Sequence, residues 1–155
     1  FTVTAVSDSG NTVSITSQNP SVCKVSDTLV SALTTGVCHL QLNAAADAIY
    51  DVATALDVSF TIGKKIQTIN LTPSDSQLSI AVGSSQNFSA SASSNLPVTI
   101  TFDSACSQQS SPVSSAVEIT RSTEGDCNVT FTQAGNTEYE AASQSTVVSF
   151  YRQNQ

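Results

Sequence analysis

Short runs of alternating apolar and polar residues recur along the chain with a period of two. Cys38, Leu40 and Leu42 alternate with His39 and Gln41, and Cys127, Val129 and Phe131 alternate with Asn128 and Thr130. Val13 with Ile15 and Val98 with Ile100 and Phe102 follow the same rule. Successive side chains of an extended strand point to opposite faces, so this alternation predicts half-buried strands. Further strands are predicted over Ile66 to Leu71 and Leu78 to Val82. Turn-forming clusters, Asp8-Ser9-Gly10-Asn11 and Ser93-Ser94-Asn95-Leu96-Pro97, stand before two of the runs. Helical spacing is nearly absent. Ala44-Ala45-Ala46 could form a single helical turn, while Gln133-Ala134-Gly135-Asn136 at the matching place reads as a loop. Short strands punctuated by turns predict an all-β sandwich.

The pattern is written twice. Counting onward from a cysteine, Tyr50 lies twelve residues after Cys38 and Tyr139 twelve after Cys127. Gly36-Val37-Cys38 matches Gly125-Asp126-Cys127, Tyr50-Asp51-Val52-Ala53 matches Tyr139-Glu140-Ala141-Ala142, and both stretches close on Val-Ser-Phe, at Val58 to Phe60 and Val148 to Phe150. Such self-similarity predicts two tandem immunoglobulin-like β-sandwich modules, residues 1–63 and 64–155. The Gly63-Lys64-Lys65 junction reads as a short solvated linker. Aligning Val13 with Val98 pairs Val3 with Phe88 and Ala5 with Ala90, and leaves Ile66 to Asn87 with no counterpart before Phe1. The first module therefore lacks its opening strand and should expose apolar surface and unpaired backbone at a sheet edge. Either that strand has been trimmed from an interior piece of a longer chain, or a neighbouring module or subunit supplies it by β-strand addition.

Composition narrows the function classes. Only 11% of residues are charged and 39% are hydrophobic, so neutral polar side chains must cover the surface. The net charge is −7 and the five Lys and Arg are scattered, leaving no basic stripe to neutralise a phosphate backbone; nucleic acid is excluded as a partner. No apolar run approaches the roughly 20 residues that span a bilayer, so membrane insertion of this fragment is not expected. Four cysteines in two pairs suggest disulfides Cys23 to Cys38 and Cys106 to Cys127, and with them an extracellular or cell-surface location. The alternatives are reduced, buried thiols or half of a zinc site; zinc is disfavoured because no CxxC occurs and His39, the lone histidine, alternates outward from Cys38.

Asn19-Pro20-Ser21-Val22-Cys23-Lys24-Val25 with Gly36-Val37-Cys38, the segment Gln133 to Ala142, and the opening Ile66-Gln67-Thr68-Ile69 together resemble the bacterial Ig-like (Big-type) tandem repeats of large secreted and surface adhesin-like proteins. The second copy departs from the pattern at Ser104 to Ser107 and the first at Asn43 to Asp47, where different loop shapes are expected. The resemblance implies a non-enzymatic stalk, spacer or matrix component. A subunit of an extracellular filament assembling by strand donation, and a glycan- or protein-binding adhesin domain, are the alternatives. No catalytic residue is nominated: one histidine facing solvent cannot serve a Ser-His-Asp arrangement, and GxxxxGK, GxGxxG and HExxH are absent. Tyr50 and Tyr139 read as structural tyrosine corners, each ring buried and its hydroxyl bonded to backbone. The carboxylates Asp47 with Asp51 and Glu138 with Glu140 read as solvated loops. No cofactor is expected; calcium between modules is the minor alternative. Asn70, Asn87 and Asn128 head N-x-Ser/Thr sequons.

Overall fold

The computed structural model describes residues 1–106 and 112–153, and every regular element among them is a strand except a 3₁₀ turn at Ser104–Cys106. The chain forms two compact units, Phe1–Lys64 and Lys65–Gln155. Lys65 belongs to the second because its backbone is paired there: its N–H donates to Glu138 O at 2.8 Å and its carbonyl accepts from Glu140 N–H at 2.9 Å. It is therefore not the solvated linker residue that its polar neighbours suggested.

The first unit contains β1 (Val13–Ser17), β2 (Cys23–Ser26), β3 (Leu29–Ala32), β4 (Gly36–Ala44) and β5 (Leu56–Ile62). One sheet has the order β1-β4-β5, and β2 pairs with β3 in the other. The segment from Phe1 to Val3 joins β3: Val30 N–H donates to Phe1 O and Val3 N–H to Thr28 O, both at 2.8 Å. Cys23, Val30, Cys38, Leu40 and Leu42 form the buried core.

The second unit contains β6 (Ile69–Thr72), β7 (Gln77–Ala81), β8 (Ser85–Ala92), β9 (Thr99–Phe102), β10 (Val113–Ser114), β11 (Ala116–Thr120), β12 (Gly125–Gln133) and β13 (Ala142–Tyr151). Its sheets are β10-β9-β12-β13-β7 and β11-β8-β6. Phe88 of one sheet and Phe131 of the other meet across the core, ring centroids 6.0 Å apart. This is an all-β sandwich architecture.

Hydrogen bonds recur from unit to unit. Thr16 Oγ1 donates to Gln41 O as Thr101 Oγ1 does to Thr130 O. Gly10 N–H donates to Ser7 O and Asn11 N–H to Ser9 Oγ, as Asn95 N–H does to Ala92 O and Leu96 N–H to Ser94 Oγ. Asp47 Oδ1 accepts from Ile49 and Tyr50 N–H, and Asn136 Oδ1 from Glu138 and Tyr139 N–H. The loop at Asn43 to Asp47 thus ends in the same side-chain turn as its counterpart, because either Asx side chain presents the required oxygen. The approach differs. Gly135 has φ 75° and a Cβ there would lie 2.5 Å from Tyr139 O, whereas Ala46 is not among the residues with positive φ. Ala44 ends β4 rather than starting a helical turn.

One sequence match is displaced. Cys38 lies opposite Phe60, but Cys127 lies opposite Val148, so Phe60 corresponds to Val148 and Ile62 to Phe150. The repeated Val-Ser-Phe is two residues out of structural register. Leu42 faces Leu56 and Phe131 faces Gln144, while Ala53 N–H donates to Ala44 O and Ala142 faces Gln133. The first unit therefore carries one extra residue between Ala53 and Leu56. An extra residue interrupts a ladder locally, and β5 starts only at Leu56.

Candidate functional site

The two units differ most along one flank, where the second is closed by its own opening segment. β6 runs antiparallel beside β8, with Ile69 opposite Ala92 and Leu71 opposite Ala90. The chain then crosses, and β7 runs parallel beside β13, with Leu78 opposite Val148 and Ile80 opposite Phe150. One segment thus edges both sheets. Its entry is held by Gln67, a buried amide that donates to Gln133 Oε1 at 2.7 Å and to Glu140 O, and accepts from Ser94 Oγ. Lys65 Nζ pairs with Glu138, and Thr146 Oγ1 donates to Asp75 O at 2.8 Å. Under this cover the inner row of β13 is dry: Thr146 is 1% exposed and Val148 0%.

The corresponding flank of the first unit is open. β5 pairs with β4 on one side, and among the described residues no strand pairs with its other side. Its inner row, Leu56, Val58, Phe60 and Ile62, is wholly apolar, yet Leu56 is 59% and Val58 42% exposed. Beside it lies a cavity of about 390 Å³ whose lining includes Ala5, Ser7, Ser9, Ala44 and Asp51. By the hydrogen-bond and ladder correspondences above, these five match Ala90, Ala92, Ser94, Gln133 and Glu140. In the second unit Ser94, Gln133 and Glu140 bond Gln67, while Ala92 and Ala90 lie opposite Ile69 and Leu71.

The flank is also more apolar than its counterpart. Val6 stands where the second unit has Ser91, Ala44 where it has Gln133, Ile49 where it has Glu138, Leu56 where it has Gln144 and Val58 where it has Thr146. Val6 and Ile49 are 94% and 84% exposed.

Cys23 is bonded to Cys38 and Cys106 to Cys127, with Cα separations of 5.7 and 5.8 Å, and no described cysteine is free. Cys23 lies in β2, whereas Cys106 lies in the 3₁₀ turn after β9, which is where the sequence departs from Pro-Ser-Val. His39 is exposed and its N–H donates to Asn19 Oδ1 at 2.9 Å. Tyr50 is not a buried corner. Its ring is half exposed, and Tyr139 is partly exposed with Lys65 Nζ 5.6 Å from its ring centroid. The turn at each place is closed by Asp47 or Asn136, whose side-chain oxygen accepts two backbone N–H groups while Asp47 N–H donates to Tyr50 O and Asn136 N–H to Tyr139 O.

The carboxylates expected in solvated loops take specific roles in two cases, Asp47 in its turn and Glu138 on Lys65. No group of three or more His, Cys, Asp or Glu side chains suited to a metal is found among the described residues. Asn70, Asn87 and Asn128 are exposed on strands, and Asn128 is engaged with Asp103 Oδ2. Among the described residues no helix is long and apolar enough to cross a membrane. Gln67 and Gln133 were missed as partners from the sequence, although both lie in the stretches that carry the family resemblance. The signal was a glutamine inside an otherwise apolar strand opening.

No family model matches the chain, and no curated protein matches it. Among solved structures it is similar to domains 4 and 5 of the S-layer protein SbsC, with 15% identity and a TM-score of 0.40 over 96% of this chain and 80% of that one.

Proposed function

We propose that this chain is a non-enzymatic structural element of a bacterial extracellular or cell-surface repeat protein, a stalk, spacer or matrix component made of two immunoglobulin-like modules. The observation that carries this reading is the disulfide in each unit. Both tie the first strand of the main hairpin, β4 or β12, to the chain that follows that strand's other neighbour, β1 or β9, with all four sulfur-bearing residues fully buried. Such bonds persist in oxidising compartments and stabilise small sandwiches that bury limited apolar surface. The neutral polar surface and the resemblance to bacterial Ig-like repeats point the same way. Modules of this kind act by extending and resisting unfolding, and the chemistry is passive.

Fractionation of source cells, with alkylation before reduction, tests the reading. The expected result is chain at the cell surface or in the medium, with all four cysteines protected and digestion yielding only the Cys23 to Cys38 and Cys106 to Cys127 links. A reduced cytoplasmic pool would exclude it.

A further inference from the structure

Tension applied along the chain enters the second unit at Lys65 and leaves it through β13, and the geometry of that path is set by one ladder. β7 pairs with β13 in parallel over five residues, from Gln77 opposite Val147 to Ala81 opposite Tyr151. Val147 N–H donating to Ser76 O and Val82 N–H donating to Tyr151 O extend the pairing at its two ends. The load reaches β7 at its Gln77 end and β13 at its Tyr151 end. Parallel strands pulled from opposite ends must slide along one another, so every bond between them is strained at once, whereas a ladder opened from one end loses its bonds in turn. We propose that the β7–β13 ladder is the load-bearing contact of the second unit, a mechanical function that rests on the reading of this chain as a stalk or spacer.

The path to that ladder has two stages. From Lys65 the load first meets the backbone bonds of Lys65 to Glu138 and Glu140, then the buried Gln67 amide on Gln133 Oε1 and Glu140 O, then the four pairs of β6 with β8. Only when these have opened does it cross from Pro73 to Ser76, where Thr146 Oγ1 holds Asp75 O at 2.8 Å, and reach β7. On its other side β13 is held by nine pairs to β12, so β7, with five, yields before β13 leaves β12. Leu78, Ile80 and Val82 pack against the core, which keeps water from replacing the ladder bonds one at a time. Once β7 is free, Cys106–Cys127 limits the lengthening, because the stretch it closes, a separation of 21 residues, bears no load.

Single-molecule pulling on the full, oxidised chain tests the proposal in two geometries. One attaches the chain by its two termini; the other attaches it by the C-terminus and an azide side chain introduced at Ser84, exposed between β7 and β8. The second pair of points sits at one end of the ladder and peels it. Length identifies each event. With its disulfide closed the second unit frees about 70 residues, roughly 240 Å of extended chain, and the first about 50, roughly 170 Å. Through the termini the second unit should rupture at a several-fold higher force than from Ser84, after a short step of about ten residues, roughly 35 Å, as β6 detaches. Gln67→Leu should lower the force of the short step and leave that of the main rupture unchanged. Equal rupture forces in the two geometries overturn the proposal, as does a main rupture weakened by Gln67→Leu as much as the short step. If urea unfolding shows that attachment at Ser84 disturbs the fold, Ser122 replaces it, exposed beside Arg121, whose carbonyl accepts Gly83 N–H at the same end of the ladder. A reduced cytoplasmic pool would remove the stalk reading and leave these forces as they are, whereas equal forces would remove the ladder's role and leave the stalk.

Discussion

Gln67 is a polar side chain in an apolar setting, and its partners determine the sign of its contribution. Its amide is matched to Gln133, Glu140 and Ser94, and Gln133 Oε1 in turn accepts Gly135 N–H. Gln67→Leu would keep the volume, leave Glu140 O without that donor and Ser94 Oγ without its acceptor, and leave the buried Gln133 Oε1 with Gly135 N–H alone, so it should lower the stability of the second unit by about 1–3 kcal/mol in urea unfolding. Asp47 and Asn136 do one job with different chemistry. Backbone N–H donation from Ile49, then from Tyr50, and the Asn11 amide hold the Asp47 carboxyl below its ordinary value. A depressed folded pKa means stability that is present above the unfolded pKa and lost as pH falls through the folded one. Asp47→Asn keeps the acceptor and does not titrate. Its unfolding midpoint should fall less steeply than the parent's from pH 5 down to pH 2, and an unchanged acid limb would remove Asp47 as its source. At this scale the sequence identified the matched tyrosines but misassigned their role. Spacing records that a position recurs; it does not say whether ring or backbone makes the contact.

Among the elements, the hairpins β4–β5 and β12–β13 were the most legible, because alternation of period two survives any shift by two residues. That same property hid the displacement of the Val-Ser-Phe match, since Phe60 aligned with Phe150 instead of Val148 leaves every inward residue inward. The extra residue before Leu56 was equally invisible, because it falls in a polar and alanine-rich stretch without alternation. The disulfides act at this level too, one tying β2 to β4 of the other sheet and the other tying the 3₁₀ turn after β9 to β12. For a loop of the length closed by Cys23 and Cys38, chain entropy predicts a contribution of about 3 kcal/mol. Replacing both cysteines with alanine should lower the first unit's unfolding free energy by that amount and leave the second unit's transition in place. A loss shared equally by both units would contradict separate cores.

For the whole molecule, the two cores have no equal protection. The second unit places a strand on both free edges of its sandwich, and the first leaves the apolar row of β5 in water. Local stability follows buried apolar contacts and paired backbone. Hydrogen exchange under native conditions should therefore be fastest through β5, and calorimetry should resolve two transitions with the first unit unfolding at the lower temperature. A single cooperative transition would contradict this. The sequence by itself determined the strands, the division into two halves and the cysteine pairs, because each is a matter of period, count or spacing along one dimension. Only the tertiary structure decided the register of β5, the turn chemistry at Asp47 and Asn136, the seat of Gln67 and the apolar slot beside Ala44. Those depend on which residues meet across sheets from distant parts of the chain, and linear order does not encode that distance.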